Sequence, residues 1–163
     1  MTDRVALFPG TFDPVTRGHV DVVRRGAALF HRLVVAVASG GKSTWFPVDE
    51  RVALVRAAVA DLTNVEVVPF DGLLVTAARR HGAHALLRGV RSYQDWEYEL
   101  RMLQMNRHLA PELETVFLAP AVEWAFVSST LVREVAALGG DLTGLVPAGV
   151  AAALARRRAH GAR

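Results

Sequence analysis

Short apolar runs alternate with longer amphipathic stretches from one end of the chain to the other. Val5–Phe8, Leu33–Ala38, Val65–Pro69, Ala85–Leu87 and Thr115–Ala119 are the short runs, and their length and aliphatic character predict strands. Leu33–Ala38 is unbroken, as a strand buried on both faces requires. His19–Phe30 carries apolar residues at 20, 22, 23, 27, 29 and 30, the spacing of one helix face. Val48–Leu62 predicts a second helix, with Asp49 and Glu50 in a first turn whose dipole favours carboxylates. Leu73–His81, Gln94–Leu109, Ser129–Leu138 and Pro147–Arg158 complete the helices. Pro111 closes the second of these four and Gly139–Gly140 the third; Pro147 opens the last, where a missing N–H costs nothing.

This alternation predicts a single α/β domain over residues 1–163, Rossmann-like, with a five-stranded parallel sheet covered by helices on both faces. A chain of 163 residues, 52% hydrophobic and 21% charged, is large enough for a core and globular in composition. The six residues of Leu33–Ala38 cannot span a bilayer, and "MTDRVALF" does not read as a signal peptide, so no membrane association is expected. No cysteine is present, which excludes disulfides, thiolate metal sites and a cysteine nucleophile and fits a cytoplasmic protein. The pI of about 10.1 suggests nucleic acid until the charges are located. Arg156, Arg157, Arg158 and Arg163 lie in the segment 156–163, and without them the formal charge of +3 becomes −1. The excess is a basic C-terminal tail, where arginines suit a helix end, and no nucleic-acid partner is expected.

In parallel sheets, ligands bind beyond the carboxyl ends of the strands, so the chemical residues should follow each strand. They do. "PGTFDPVTRGH" follows the first strand, "SGGKSTWF" the second, "RGVRSYQDWEYE" the fourth and "PAVEWAFVSSTLVRE" the fifth. The connection from Phe8 to His19 is longer than the two to six residues a strand–helix turn needs. Gly10 and Gly18 allow close backbone approach, His19 sits where free N–H groups favour an anion, and Thr11 can donate a hydroxyl. Ser128, Ser129 and Thr130 open a second helix with three hydroxyls, with Arg133 within reach of that site. Arg88 and Arg91 bracket Gly89, and Lys42 adds a further cation. "GGKS" is not a P-loop, because Ala36 stands where the first glycine belongs; G-x-G-x-x-G is absent; His81 and His84 have no further ligands beside them. No catalytic triad or cluster of metal ligands is apparent. Two helix-start sites and four cations describe a polyphosphate site, and catalysis by positioning and charge stabilisation fits nucleotidyl transfer.

"GTFDPVTRGH" and "VSSTLVR" resemble the two signature motifs of the HIGH-type nucleotidyltransferases. Within them the chain looks most like the phosphopantetheine adenylyltransferase family of bacterial coenzyme A synthesis. "DERVAL", "RGVRSYQDWEYE", "QMNRHLAPELETVFL" and "EWAFVSSTLVREVA" stand in that family's order nearly end to end, and Thr16 occupies the first position of H-x-G-H, as in that family. The resemblance implies adenylyl transfer from ATP to 4′-phosphopantetheine, giving dephospho-coenzyme A and pyrophosphate with Mg²⁺, and no protein nucleophile. It implies that His19 holds the α-phosphate, that Thr11 and Lys42 orient the attacking phosphate, and that Arg88 lies beside that substrate. Arg91, Ser128, Ser129 and Thr130 would hold the β- and γ-phosphates. Phe12, Gly18, Gly89 and Glu99 would line the nucleotide site, and Leu73, Leu74 and Asn106 would contact the pantetheine arm. It further implies a homohexamer and coenzyme A as a feedback inhibitor. Gly40–Gly41 departs from the asparagine- or proline-bearing turn usual before Lys42. A related transferase with another acceptor, such as nicotinate mononucleotide or glycerol phosphate, and an RNA-binding module using the arginine tail are the alternatives; the second requires strongly salt-dependent binding.

Overall fold

A computed structural model describes residues 3–40 and 43–159. Five strands and six α-helices alternate: β1 Val5–Gly10, α1 Arg17–Leu29, β2 Arg32–Ala38, α2 Val48–Ala58, β3 Val65–Phe70, α3 Leu74–Arg80, β4 Ala85–Gly89, α4 Tyr93–Leu109, β5 Glu114–Leu118, α5 Ser129–Ala137 and α6 Ala148–Ala159. A 3₁₀ turn, Val122–Trp124, precedes α5. The sheet is five-stranded and parallel, in the order β3-β2-β1-β4-β5. The expected Rossmann-like α/β architecture is present.

Each strand divides its side chains between two cores, as a period of two dictates. Ala6, Phe8, Leu33, Val35, Val37 and Leu87 join buried residues of α1, α2, α5 and α6. Val5, Leu7, Val34, Ala36 and Leu86 face α3 and the Ala110–Leu113 turn. Leu33 through Val37 are all 0% exposed, so β2 is buried on both faces as its unbroken apolar run predicts. α1 approaches the sheet closely: a Cβ at Gly26 would stand 2.4 Å from Leu87 Cδ2.

Two helix limits differ from the periodicity by more than one residue. α1 begins at Arg17 rather than His19, because Thr16 caps it and its side chain accepts from the His19 N–H. α2 stops at Ala58 rather than Leu62, because Val59 leaves helical geometry at φ −124°, ψ 19° and Leu62 closes a turn back onto the Val59 carbonyl.

α4 inverts the usual distribution. Its buried side chains are Glu99 and Asn106, while Tyr93, Trp96, Tyr98, Leu100, Met105 and Leu109 are exposed. Two polar residues seven apart share one helical face, and here that face points into the protein.

Candidate active site

The strand order reverses beside β1: β2 and β3 lie to one side, β4 and β5 to the other. Such a switch point opens a crevice at the carboxyl ends of the strands. Here that crevice is two cavities, of about 300 Å³ and about 250 Å³, which share Pro9, Gly10, Arg88 and Glu99 as a common wall. The first contains Phe12, Gly18, His19, Gly89, Arg91, Ser128, Ser129 and Thr130, and the second contains Thr11, Leu74 and Asn106.

The long β1–α1 connection builds the first cavity. Phe12 takes a left-handed backbone, φ 49°, and its ring folds back over Gly10. A Cβ at Gly10 would stand 2.8 Å from that ring, so glycine is required there. Gly18 is needed less for clearance, since a Cβ there would meet Trp124 O at an ordinary 3.5 Å. The Phe12 ring packs edge-on against Phe8 and His19, with centroids 5.5 and 5.1 Å apart. His19 completes a capping box: the Thr16 N–H donates to its Nδ1 at 3.1 Å. That bond leaves the proton of a neutral imidazole on Nε2, as a donor. Burial, then the positive charges of Arg91 and Arg88, lower the His19 pKa from 6.5 to about 4. The ring is therefore neutral at pH 7.

The cations are held by acids and carbonyls. Arg88 pairs with both carboxylate oxygens of Glu99 and donates to the Pro9 carbonyl at 3.0 Å. Arg91 donates from Nε to Asp95 at 3.0 Å and from a terminal nitrogen to the Val127 carbonyl at 2.8 Å. Burial opposes the Asp95 charge, but hydrogen bonds from the Arg91 side chain and backbone and the Arg91 charge hold its carboxyl below the usual range. Asp95 lines the first cavity and was not legible as a site residue; its four-residue spacing from Arg91 across a helix start was the available signal.

At the α5 start the serine hydroxyls are engaged within the protein, so what the helix start offers the cavity is mainly its backbone N–H groups. The Ser128 hydroxyl caps the helix by accepting from the Leu131 N–H at 3.1 Å, and the Ser129 hydroxyl donates to the Pro14 carbonyl at 2.8 Å. Arg133 does not line the cavity; it donates to the Asp13 carbonyl and to Thr130 Oγ1.

The second cavity is more apolar along one side. Phe70, Leu74, Leu86, Met102 and Leu103 line it, with Asn106 and Thr115 as polar points. Leu73 does not line it; it precedes the first residue of α3, makes no side-chain cap and is 61% exposed. Lys42 lies outside the described residues. The segment that follows it is tied down by two buried charges absent from any sequence expectation. Asp13, 3% exposed, accepts from the Trp45 and Phe46 N–H groups at 2.8 and 2.9 Å. Arg51, 2% exposed, donates to the carbonyls of Phe46, Thr11 and Ala38.

Among the described residues, no three His, Cys, Asp or Glu side chains stand together to hold a metal. The cleft's two carboxylates, Asp95 and Glu99, are both paired with arginine. No helix among them is long and apolar enough to cross a membrane.

Residues 7–135 match the cytidylyltransferase-like family model. Over 154 residues the chain is 56% identical to a phosphopantetheine adenylyltransferase of Thioalkalivibrio sulfidiphilus, covering 94% of this chain and 97% of that one. It is 54% identical over 152 residues to one from Xylella fastidiosa, covering 93% and 94%. A solved structure from Vibrio parahaemolyticus, provisionally assigned as a nicotinate-nucleotide adenylyltransferase, superposes with a TM-score of 0.72 over 96% of each chain at 18% identity. That likeness is one of fold. The match to the family model and the identity to these relatives agree with the cleft: the chain belongs to the cytidylyltransferase-like nucleotidyltransferases and, within them, to the phosphopantetheine adenylyltransferases.

Proposed function

We propose that the cleft transfers the adenylyl group of ATP to 4′-phosphopantetheine, giving dephospho-coenzyme A and pyrophosphate. The observation that carries this is the pair of cavities divided by a wall that both share, one cationic beside two helix starts and one apolar with few polar points. A triphosphate suits the first, and a long, mostly apolar arm ending in a phosphate suits the second. The apolar lining of the second favours that acceptor over nicotinate mononucleotide or glycerol phosphate.

A phosphate oxygen of the acceptor attacks the α-phosphorus of ATP in line; one P–O bond forms and the bond to pyrophosphate breaks. The protein supplies no nucleophile. His19 donates Nε2–H to the α-phosphate as charge shifts onto its oxygens. Arg91 and the backbone N–H groups at Ser129 and Thr130 hold the β- and γ-phosphates and the departing pyrophosphate. Thr11 and Lys42 orient the attacking phosphate, with Arg88 beside it. Phe12, Gly18, Gly89 and Glu99 bound the nucleotide, and Leu74 and Asn106 contact the arm. Mg²⁺ would enter with the nucleotide rather than on a protein carboxylate, because Asp95 and Glu99 are engaged with arginine. It would supply charge neutralisation on the phosphates.

The exposed aromatic and aliphatic side chains of α4 support self-association, which the family resemblance makes a homohexamer. Coenzyme A, a product-like ligand, would occupy the same cleft and inhibit, and the work of the protein is cytoplasmic. The test is a product assay with ATP and Mg²⁺, offering phosphopantetheine, nicotinate mononucleotide and glycerol 3-phosphate separately. Dephospho-coenzyme A from the first alone is expected; pyrophosphate release with another acceptor instead would overturn the acceptor, and none with any would overturn the transferase reading.

A further inference from the structure

Arg51 is a cation in the protein interior, 2% exposed, in the first turn of α2. A buried charge is tolerated only when its N–H groups are satisfied. Its Nε donates to the Phe46 carbonyl at 2.9 Å, and one terminal nitrogen donates to the Thr11 and Ala38 carbonyls at 2.6 and 2.8 Å. These carbonyls come from three places: the loop after β1, the last residue of β2, and the segment that leads into α2. One planar guanidinium thus ties together the backbone on both sides of Lys42. A lysine ammonium lacks the fork geometry to hold all three.

The acceptors are not spread evenly over the cleft. Thr11 and Ala38 line the second cavity, and neither lines the first. The Phe46 segment is clamped from its other side as well, where Asp13 accepts from the Trp45 and Phe46 N–H groups. Arg51 therefore has a grip on the walls of one compartment only. It is absent from the residues lining either cavity, so it acts through backbone it holds and not by touching substrate.

We propose that Arg51 is a positioning residue for the acceptor compartment, setting the Thr11 and Ala38 backbone that receives the acceptor phosphate, while leaving the ATP compartment unaffected. The identity of that acceptor rests on the function proposed above. The experiment compares the wild type with Arg51→Lys and Arg51→Ala. KM for phosphopantetheine and for ATP are measured with the other substrate saturating, ATP affinity is measured by calorimetry without acceptor, and melting temperature is recorded. Arg51→Ala is expected to raise KM for phosphopantetheine by about tenfold or more, the weight of one lost charge-assisted hydrogen bond. KM and affinity for ATP should stay within about twofold, and Arg51→Lys should fall between wild type and Arg51→Ala because a single ammonium recovers part of the fork. A parallel rise in both KM values, or a lower melting temperature with both KM values unchanged, would overturn the proposal. So would unfolding of both variants, which would make Arg51 a brace of the whole domain. A wild type that binds ATP but does not turn over phosphopantetheine would instead remove the functional reading, and the acceptor role of Arg51 with it.

Discussion

His19 is predicted to work as a neutral hydrogen-bond donor, and its surroundings set both the size and the pH dependence of the effect. The perturbations are His19→Ala and His19→Gln. Removing one preorganised donor to a developing oxyanion costs about 10²–10³ in kcat, or about 3–4 kcal/mol. The alanine variant should lose at least that much. Glutamine carries a neutral N–H donor on a side chain of similar reach, so it should retain part of the rate. His19→Ala also removes the side chain that accepts from the Thr16 N–H, and a lost cap costs about 0.5–2 kcal/mol of stability, which a thermal melt should register without unfolding at 25 °C. The pH profile gives a second check. The native pKa is lowered from 6.5 to about 4, so the unfolded chain binds this proton more readily. His19 therefore leaves stability unchanged above pH 6.5, destabilises the fold progressively as pH falls from 6.5 toward 4, and costs up to about 3 kcal/mol below that. Turnover, measured as pyrophosphate release, should show no His19 ionisation between pH 6 and 8. A kcat/KM that climbs on acidification through a pKa near 6.5, together with a glutamine variant as inactive as alanine, would show that the imidazolium is the working form and refute the reasoning.

Three further perturbations test two other cleft residues and the packing behind the cleft. Lys42→Ala should raise KM for phosphopantetheine more than KM for ATP; equal losses would remove Lys42 from the acceptor's phosphate. Asp95→Asn keeps the size of the side chain but removes the charge that anchors Arg91. It should weaken ATP use about tenfold, in the range of a charged hydrogen bond, and an unchanged KM for ATP would leave Asp95 with no part in placing Arg91. Gly26→Ala gains up to about 1 kcal/mol in helix propensity but puts a Cβ 2.4 Å from Leu87 Cδ2, where overpacking costs about 1–3 kcal/mol, so the melting temperature should fall; a rise would mean that Leu87 repacks freely.

The strands and helices were legible because their signals are local. The unbroken run at Leu33–Ala38 and the alternation of Val5 and Leu7 with Ala6 and Phe8 carry the burial pattern directly. The residues that line the cleft are legible because a parallel sheet places its loops after its strands, where the motifs stand. Asp13 and Arg51 were not, because their partners are main-chain N–H and carbonyl groups, which leave no side-chain pattern to read. The need for glycine at 26 is set by the Leu87 side chain from another element, which local sequence does not reveal. By residue type Ser129 suits a phosphate and Arg133 lies within reach of one; in the fold the Ser129 hydroxyl donates to the Pro14 carbonyl and Arg133 to the Asp13 carbonyl. α4 reads as an ordinary amphipathic helix, and only the cleft explains why Glu99 and Asn106 are its buried side.

The wall shared by the two cavities has a consequence for what leaves the cleft. On the proposed function, once the new P–O bond forms, the nucleotide and the pantetheine arm become one molecule with an end on each side of Pro9, Gly10, Arg88 and Glu99. Release of either end leaves the other bound, so the freed end rebinds from a high effective concentration rather than from bulk solution. In that arrangement pyrophosphate, held on one side alone, has no such tether and should depart first. The joined product is thus retained far better than either half, and a synthetic ligand that bridges the wall would inherit the same advantage over ligands that fill a single compartment.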